Sequence, residues 1–251
     1  MQLVKLLILA IIFFLTSSVS VVTGSTSLIT VPVLIAFGVE PHIAVATNMM
    51  ALTLMSAGGS LPFARKGVVE RRILPLGIIL TIVGSAVGAL LLLSIPTKAL
   101  QLTIAIAMIA VAVFSLLRHD REAGQRQTSA ASQAIGYLLT LILAVYGGLF
   151  SGGYVTMLTA VFVFLLGLSF LQAVATTKVI NIFSSLIATA IFALRGVVDY
   201  RLGLLLGAAM FLGAVVGGHI AIRMSAVWLR RVFVVAVFAL AARMLIGLVT
   251  A

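Results

Sequence analysis

The chain of 251 residues contains no cysteine, which excludes disulfides, thiol catalysis and cysteine-ligated metals. Its three histidines, His42, His119 and His219, are scattered and lack the close spacing of metal-ligand pairs. We therefore expect neither a metal site nor a cofactor in this protein.

Acidic residues are also scarce. Carboxylates are the usual groups that relay protons or hold cations inside a membrane, and paired carboxylates serve as acid and base in hydrolysis. All five acids fall in predicted loops or at helix ends, which argues against a carboxylate-based proton pump, a cation site and an enzyme. They are Glu40, Glu70, Asp120, Glu122 and Asp199.

Hydrophobic residues, by contrast, make up 63% of the chain and charged residues only 8%, with a mean hydropathy of +1.34. A soluble domain cannot cover its surface with so few polar groups, so the composition indicates a multi-pass membrane protein, here of the bacterial inner membrane. The net charge of +11 is explained by basic residues at helix ends beside lipid headgroups. We expect lipid as a partner and not nucleic acid.

Hydropathy and helix breakers predict an all-α protein with ten membrane segments. A helix needs about 20 apolar residues to cross a bilayer, so the second and seventh segments are short enough to be half-helices. The predicted segments are residues 3–22, 25–38, 42–64, 73–95, 99–117, 134–150, 153–167, 171–194, 202–224 and 230–249.

An internal duplication relates the two halves of the chain, which we divide into repeat 1 (1–117), a polar linker (118–133) and repeat 2 (134–251). A shift of 129 residues aligns four features in the same order without a gap. These are Gly38 with Gly167, Ala-Val-Ala-Thr at 44–47 with the same motif at 173–176, Gly-Val-Val-Glu at 67–70 with Gly-Val-Val-Asp at 196–199, and Gly84 and Gly88 with Gly213 and Gly217.

The distribution of basic residues predicts that the repeats have opposite orientations. Residues 65–72 carry four basic side chains and should be cytoplasmic, whereas the next loop holds only Lys98. In the second half, residues 195–201 have two arginines beside Asp199, and residues 223–231 have three arginines. Five membrane segments per repeat produce this inversion, a common plan of secondary transporters. If the two short segments are re-entrant instead, each repeat has four segments and the repeats are parallel.

Lys178 lies about two turns inside the segment 171–194, where an unpaired ammonium group is costly and no acid is near in sequence. One interpretation is that its long stem snorkels to the interface. The other is that its partner is a transported anion, with Asn181 on the same face and Thr176 and Thr177 beside it.

The first repeat has Met49 at the position of Lys178, with Thr47 and Asn48 next to it. We therefore expect an asymmetric site in which repeat 2 supplies the charge and repeat 1 supplies hydrogen-bonding groups. The alternative is that these polar side chains only hold helices together.

Small-residue breaks precede both short segments: Gly24 and Ser25 before the first, and Ser151, Gly152 and Gly153 before the second. Free backbone N–H groups and the positive end of a helix dipole favour an anion at such a break. The two breaks are therefore further binding candidates, and close packing of small residues is the alternative.

The order of a small-residue turn, a short apolar segment, Gly, Ala-Val-Ala-Thr and, twenty residues later, Gly-Val-Val-Asp resembles the TauE/SafE sulfite exporter family, also called the toluene sulfonate uptake permease family. The resemblance covers essentially the whole chain, and the second copy, with Lys178 and Asn181, matches more closely. It implies transport of sulfite, organosulfonates or related anions. The first copy departs from the glycine-rich turn of the family, since Ser25 follows Gly24.

These observations predict a secondary transporter, an exporter of a small anion such as sulfite or a sulfoacetate-like organosulfonate. It would work by alternating access with the site between the repeats. The alternatives are a passive anion channel and a membrane assembly or scaffold subunit that transports nothing.

Overall fold

The computed structural model describes residues 2–117 and 128–221, and this part of the chain is helical without β-strands. The all-α membrane architecture is confirmed, since six of these helices are long and apolar enough to cross a bilayer. The tenth predicted segment, its flanking arginines and most of the linker lie outside the described residues. The helices are α1 (Gln2–Thr23), α2 (Ser27–Ala36), α3 (Pro41–Arg65), α4 (Leu74–Ser94), α5 (Thr97–Leu117), α6 (Ala130–Leu149), α7 (Tyr154–Phe164), α8 (Phe170–Leu194) and α9 (Tyr200–Ala221).

Helices α2 and α7 have only 10 and 11 residues, which corresponds to about 15 Å of helix. They are too short to cross the bilayer, as the sequence predicts. Helix α6 begins at Ala130, within the segment that we assign to the polar linker, because Ser129 caps its N-terminus by accepting from the N–H of Ser132.

The duplication extends to backbone conformation. Six glycines in the described chain have a positive φ, a backbone conformation that residues with a Cβ rarely adopt. They form three pairs, and the two glycines of each pair are 129 positions apart in the chain. Within a pair, each glycine lies at the corresponding helix end of its own repeat. The pairs are Gly24 and Gly153, Gly38 and Gly167, and Gly67 and Gly196.

Equivalent caps also start the two long central helices. The Glu40 side chain accepts from the N–H of Ile43 at the start of α3, and the Ser169 side chain accepts from the N–H of Gln172 at the start of α8. Each cap satisfies an N–H group that has no partner within its helix. The two repeats thus begin their central helices by the same device, although one uses a carboxylate and the other a hydroxyl.

The repeats are interlocked rather than side by side. Helix α4 of repeat 1 packs on α6 and α8 of repeat 2, and its counterpart α9 packs on α1 and α3 of repeat 1. Glycines permit the close approach, because a Cβ on Gly88 would collide with the carbonyl oxygen of Val145 and one on Gly217 with that of Ser18. Each half therefore relies on helices of the other half to bury its own.

Helices α3 and α8 form the centre of the interface and run antiparallel. Thr47, near the start of α3, contacts the chain just after the end of α8, and Thr176, near the start of α8, contacts the chain just after the end of α3. This arrangement is consistent with inverted repeats, and the sidedness of the loops in the membrane stays a prediction.

Candidate functional site

Two equivalent hydrogen bonds join the repeats at opposite ends of the α3–α8 pair. The hydroxyl of Thr47 accepts from the backbone N–H of Asp199 at 3.0 Å, and we call this contact the Thr47 latch. The hydroxyl of Thr176 accepts from the backbone N–H of Glu70 at 3.0 Å, the Thr176 latch. Thus the threonine of each Ala-Val-Ala-Thr motif holds the Gly-Val-Val-acid loop of the other repeat.

The residue after each latch threonine holds the short helix of its own repeat. Both ends of the Asn48 amide are hydrogen-bonded, since its Oδ1 accepts from Thr30 at 2.7 Å and its Nδ2 donates to Ser27 at 2.9 Å. The equivalent Thr177 shares a hydrogen bond of 3.2 Å with Thr159, which is the repeat counterpart of Thr30. These polar groups fix α2 against α3 and α7 against α8.

The two helix breaks meet in the interior. Ser25 and Thr156 share a hydrogen bond of 2.6 Å, and a Cβ on Gly24 would lie 2.9 Å from the Val155 side chain. Gly152 is enclosed as tightly, because a Cβ there would collide with Leu28 and Phe150. The carbonyl oxygen of Gly152 accepts from the Tyr146 hydroxyl at 2.5 Å.

The close packing at these breaks bears on the prediction that they bind an anion. Ser151 is buried, and its carbonyl oxygen accepts from the N–H of Tyr154 across the turn that contains Gly153. In this conformation the breaks therefore serve as contact surfaces between repeats.

Lys178 is buried in α8, with 3% of its surface exposed, and makes no hydrogen bond or ion pair with any described residue. Its neighbours on the helix surface are Asn181, three residues on, and Ser185, seven residues on, whose hydroxyl donates to the carbonyl oxygen of Asn181 at 2.6 Å. Lys178 thus lies on the polar face of α8, and no counter-charge pairs with it in the part of the chain that the structure describes.

Asn181 connects this face to repeat 1, because its Nδ2 donates to the Ser56 hydroxyl of α3 at 2.7 Å. Its Oδ1 is buried and has no partner, and within the described chain only one other buried side-chain oxygen, Ser20 Oγ, is left in the same state. Buried polar groups are nearly always satisfied, so each exception needs an explanation.

The hydrogen bond from Asn181 to Ser56 fixes the position of Lys178 along the α3–α8 pair. Because α8 runs antiparallel to α3, Lys178 lies about one turn beyond Ser56 along α3, at the height of Gly59. Val21, at the end of α1, packs on Gly59, where a Cβ would lie 3.5 Å from its side chain. We call Lys178, Asn181 and Ser56 the central cluster.

The groups of the central cluster have the chemistry that an anion requires. An ammonium group offers three N–H donors, and the Ser56 hydroxyl and the Asn181 amide are further donors. The three acids of the described chain, Glu40, Glu70 and Asp199, precede or follow helices at the ends of the bundle. The described residues contain no group of three histidines or acids that could hold a metal ion.

The structure thus separates the predicted site residues into three sets. It brings Lys178 and Asn181 together, engages Thr47, Asn48, Thr176 and Thr177 in contacts that fix loops and short helices, and packs the break residues Gly24, Ser25, Ser151, Gly152 and Gly153 in the interior. Sequence reasoning missed Ser56, which accepts from Asn181. A signal existed for Ser56, because it aligns with Ser185 at the shift of 129 residues.

Comparison with known proteins agrees with this architecture. The family profile described as "Sulfite exporter TauE/SafE" matches residues 9–244. A "Probable membrane transporter protein" of Haemophilus influenzae is 29% identical over 240 residues, which cover 94% of both chains. "Probable membrane transporter protein ORF9" of a Sinorhizobium species is 28% identical over 92% of this chain and 89% of its own.

A third relative, "Probable membrane transporter protein YfcA" of Escherichia coli K12, is 27% identical over 95% of this chain and 90% of its own. No solved structure matches the chain. Because the family profile spans nearly the whole duplicated unit, the chain belongs to the sulfite exporter TauE/SafE family of multi-pass bacterial inner-membrane transporters.

Proposed function

We propose that the protein is a secondary transporter that exports a small anion, such as sulfite or an organosulfonate, by alternating access. The anion binds at the central cluster between the repeats, and Lys178 supplies the counter-charge.

The observation that carries this proposal is that Lys178 is buried and has no hydrogen-bond or ion-pair partner among the described residues. An isolated ammonium group in a low-dielectric interior is costly, and such groups persist where a partner compensates them. An anion with several oxygen atoms compensates the charge and can also accept from the second N–H of the Asn181 amide.

The latches support alternating access. The Thr47 latch and the Thr176 latch lie at opposite ends of the α3–α8 pair, with the central cluster between them. In this conformation both hydrogen bonds are formed, as expected when neither side of the membrane has access to the cluster. Opening one latch at a time would expose the cluster to one side of the membrane and then to the other.

Export agrees with the electrical gradient. An inside-negative membrane potential favours outward movement of an anion by about 2.3 kcal/mol per charge at 100 mV. The basic loop at residues 65–72, predicted to be cytoplasmic, would attract anions to the end of the bundle where the Thr176 latch lies.

The test is anion binding to purified protein, with sulfite and methanesulfonate as probes and Lys178→Met as the variant. Methionine keeps much of the stem and removes the charge. A desolvated charge-assisted contact is worth roughly 1.5 to 3 kcal/mol, so we expect binding to weaken about 10- to 150-fold. Lys178→Arg should be intermediate, because the charge remains and its geometry changes.

Lys98→Met is the matched control, since Lys98 lies at the beginning of α5 and its replacement removes the same charge away from the cluster. Unchanged affinity in Lys178→Met would refute the role of the lysine. Counterflow in vesicles separates a carrier from a passive channel, because only a carrier exchanges a preloaded anion. Failure of every anion to stabilise the protein would favour the scaffold alternative.

A further inference from the structure

We propose that a second pocket, at the end of the bundle where the Thr176 latch lies, binds a zwitterion that carries both an ammonium group and an oxyanion. We call it the Glu70 pocket. The described residues that line it include no member of the central cluster, and the site does not depend on the proposed function.

The Glu70 pocket has a volume of about 270 Å³ and lies between the loop after α3, the beginning of α6 and the turn between α7 and α8. This volume suits a ligand of a few heavy atoms, since pockets for drug-sized molecules begin at about 300 Å³. Apolar side chains, including Leu166 and Leu168, form one part of the wall. The polar part consists of Glu70, Arg72, Gln133 and Tyr137.

Glu70 and Arg72 present opposite charges to the pocket without neutralising each other. The Glu70 carboxylate accepts from the backbone N–H of Arg72 at 3.2 Å, but the Arg72 guanidinium forms no ion pair or hydrogen bond with any residue in the described ranges. A guanidinium is a fork of donors that matches two oxygens of an oxyanion. The carboxylate has about four lone-pair sites, so it can also accept from an ammonium group.

Two neutral side chains add donors beside Arg72. The Nε2 of Gln133 donates to the Thr128 hydroxyl at 3.2 Å and has a second N–H, and the Tyr137 hydroxyl has no hydrogen-bond partner among the described residues. The oxyanion of a ligand therefore meets three donor groups. A plain anion would also meet the negative charge of Glu70, whereas a zwitterion turns that repulsion into an attraction.

The duplication shows that this lining is particular to one end of the bundle. At the shift of 129 residues, the acid and the arginine are present in both repeats, but the two neutral donors align with exposed apolar side chains. The opposite end therefore lacks the groups that complete the oxyanion site. The aligned pairs are Glu70 with Asp199, Arg72 with Arg201, Gln133 with Val4, and Tyr137 with Ile8.

Two sources offer this ligand chemistry. The headgroup of phosphatidylethanolamine and a free aminoalkyl sulfonate each join an ammonium group to an oxyanion through a two-carbon spacer. The pocket lies at an end of the bundle, where a lipid headgroup and a dissolved ligand both have access.

A matched pair of probes tests the need for the ammonium group: 2-aminoethanesulfonate and 2-hydroxyethanesulfonate differ only in an ammonium and a hydroxyl group. We would measure both dissociation constants for the purified full chain in an uncharged detergent, as wild type and with Lys178→Met, which removes the charge of the central cluster. In both proteins the amino compound should bind about 10-fold more tightly. This is the lower end for a hydrogen bond to a charged group, because the pocket is partly open to solvent.

Variants of the lining separate the two charges. Glu70→Gln keeps the backbone N–H of the Thr176 latch and should reduce the preference for the amino compound from about 10-fold to about 1-fold. Arg72→Gln should weaken both ligands by a similar factor of about 10. Asp199→Asn and Arg201→Gln are the matched controls at the opposite end, and they should leave both affinities unchanged.

Equal affinities of the two ligands in the Lys178→Met protein, or a preference that survives Glu70→Gln, would overturn the zwitterion site. Binding to the wild type that is lost in Lys178→Met, with an unchanged thermal unfolding temperature, would place the ligands at the central cluster. That result would overturn the Glu70 pocket as the site and support the proposed function. Failure of both ligands to bind either protein would also overturn it.

Nanodiscs identify the source of the ligand. Phosphatidylcholine is also a zwitterion but has no N–H on its ammonium group, so it is the comparison lipid for phosphatidylethanolamine. Weaker binding of 2-aminoethanesulfonate in phosphatidylethanolamine nanodiscs would show that the lipid headgroup competes for the pocket. Equal binding in the two lipids would identify a free zwitterion as the ligand, and either result supports the site.

Discussion

Replacing either latch threonine with valine should bias the transporter toward one side of the membrane, and the two replacements should have opposite effects. Valine has nearly the shape of threonine but cannot accept the backbone N–H of Glu70 or Asp199. In Thr176→Val the Glu70 loop loses its partner when closed, whereas the open loop can hydrogen-bond to water. The closed conformation of the Glu70 loop is therefore destabilised relative to the open one.

The size of the effect follows from one neutral hydrogen bond of 3.0 Å in a partly buried position. Such a bond contributes about 0.5 to 1.5 kcal/mol net, which corresponds to a change of roughly 2- to 13-fold in the ratio of open to closed loops. Because the two latches are equivalent in geometry, the two variants should change this ratio by similar factors.

The absence of native cysteine makes a direct assay possible. Ser185→Cys places a single buried thiol on the polar face of α8, one turn from Asn181. We expect Thr176→Val to increase labelling by an impermeant thiol reagent from the side of the Glu70 loop. Thr47→Val should increase labelling from the side of the Asp199 loop. Thr176→Ser and Thr47→Ser keep the acceptor oxygen and should leave labelling nearly unchanged.

Increased labelling from the same side in both valine variants would refute the assignment of the latches to opposite ends. Unchanged labelling in both would show that the latches do not control access to the cluster.

Two further predictions concern topology and packing. Single cysteines at Arg71 and Tyr200 should react with an impermeant reagent from opposite sides of the membrane, and reaction from one side would show that the repeats are parallel. Gly88→Ala should destabilise the protein by about 1 to 3 kcal/mol, because its Cβ would collide with Val145 of α6. Gly59→Ala is the control, since its Cβ would make ordinary contacts at 3.5 and 3.6 Å, and equal thermal unfolding temperatures for the two variants would contradict the packing argument.

Sequence patterns predicted the helical segments because hydropathy and helix breaks are local properties. Gly24 and Gly153 marked the beginnings of the two short helices, and both have positive φ in the structure. The start of α6 was placed too late because residues around Ala130 are polar, and a helix end that is capped by Ser129 needs no apolar residues there.

The site was predictable only where its residues share one helix. Lys178 and Asn181 are three residues apart, so helix geometry alone places them on one face. Ser56 belongs to another helix, α3, and the hydrogen bond from Asn181 to Ser56 spans 125 positions of the chain. No local pattern predicts which helix faces α8 at that height.

The sequence by itself therefore determined that this chain is a duplicated, multi-pass helical protein with a lysine, Lys178, within a membrane segment, because composition, hydropathy and repetition can be read along the chain. Only the tertiary structure decided what the repeated threonines do. Thr47 and Thr176 are predicted as ligand groups, yet each accepts from a loop of the other repeat, across 152 and 106 positions of the chain. The physical reason is the interlocking of the repeats, which places the Gly-Val-Val-acid loop of each half against the Ala-Val-Ala-Thr motif of the other.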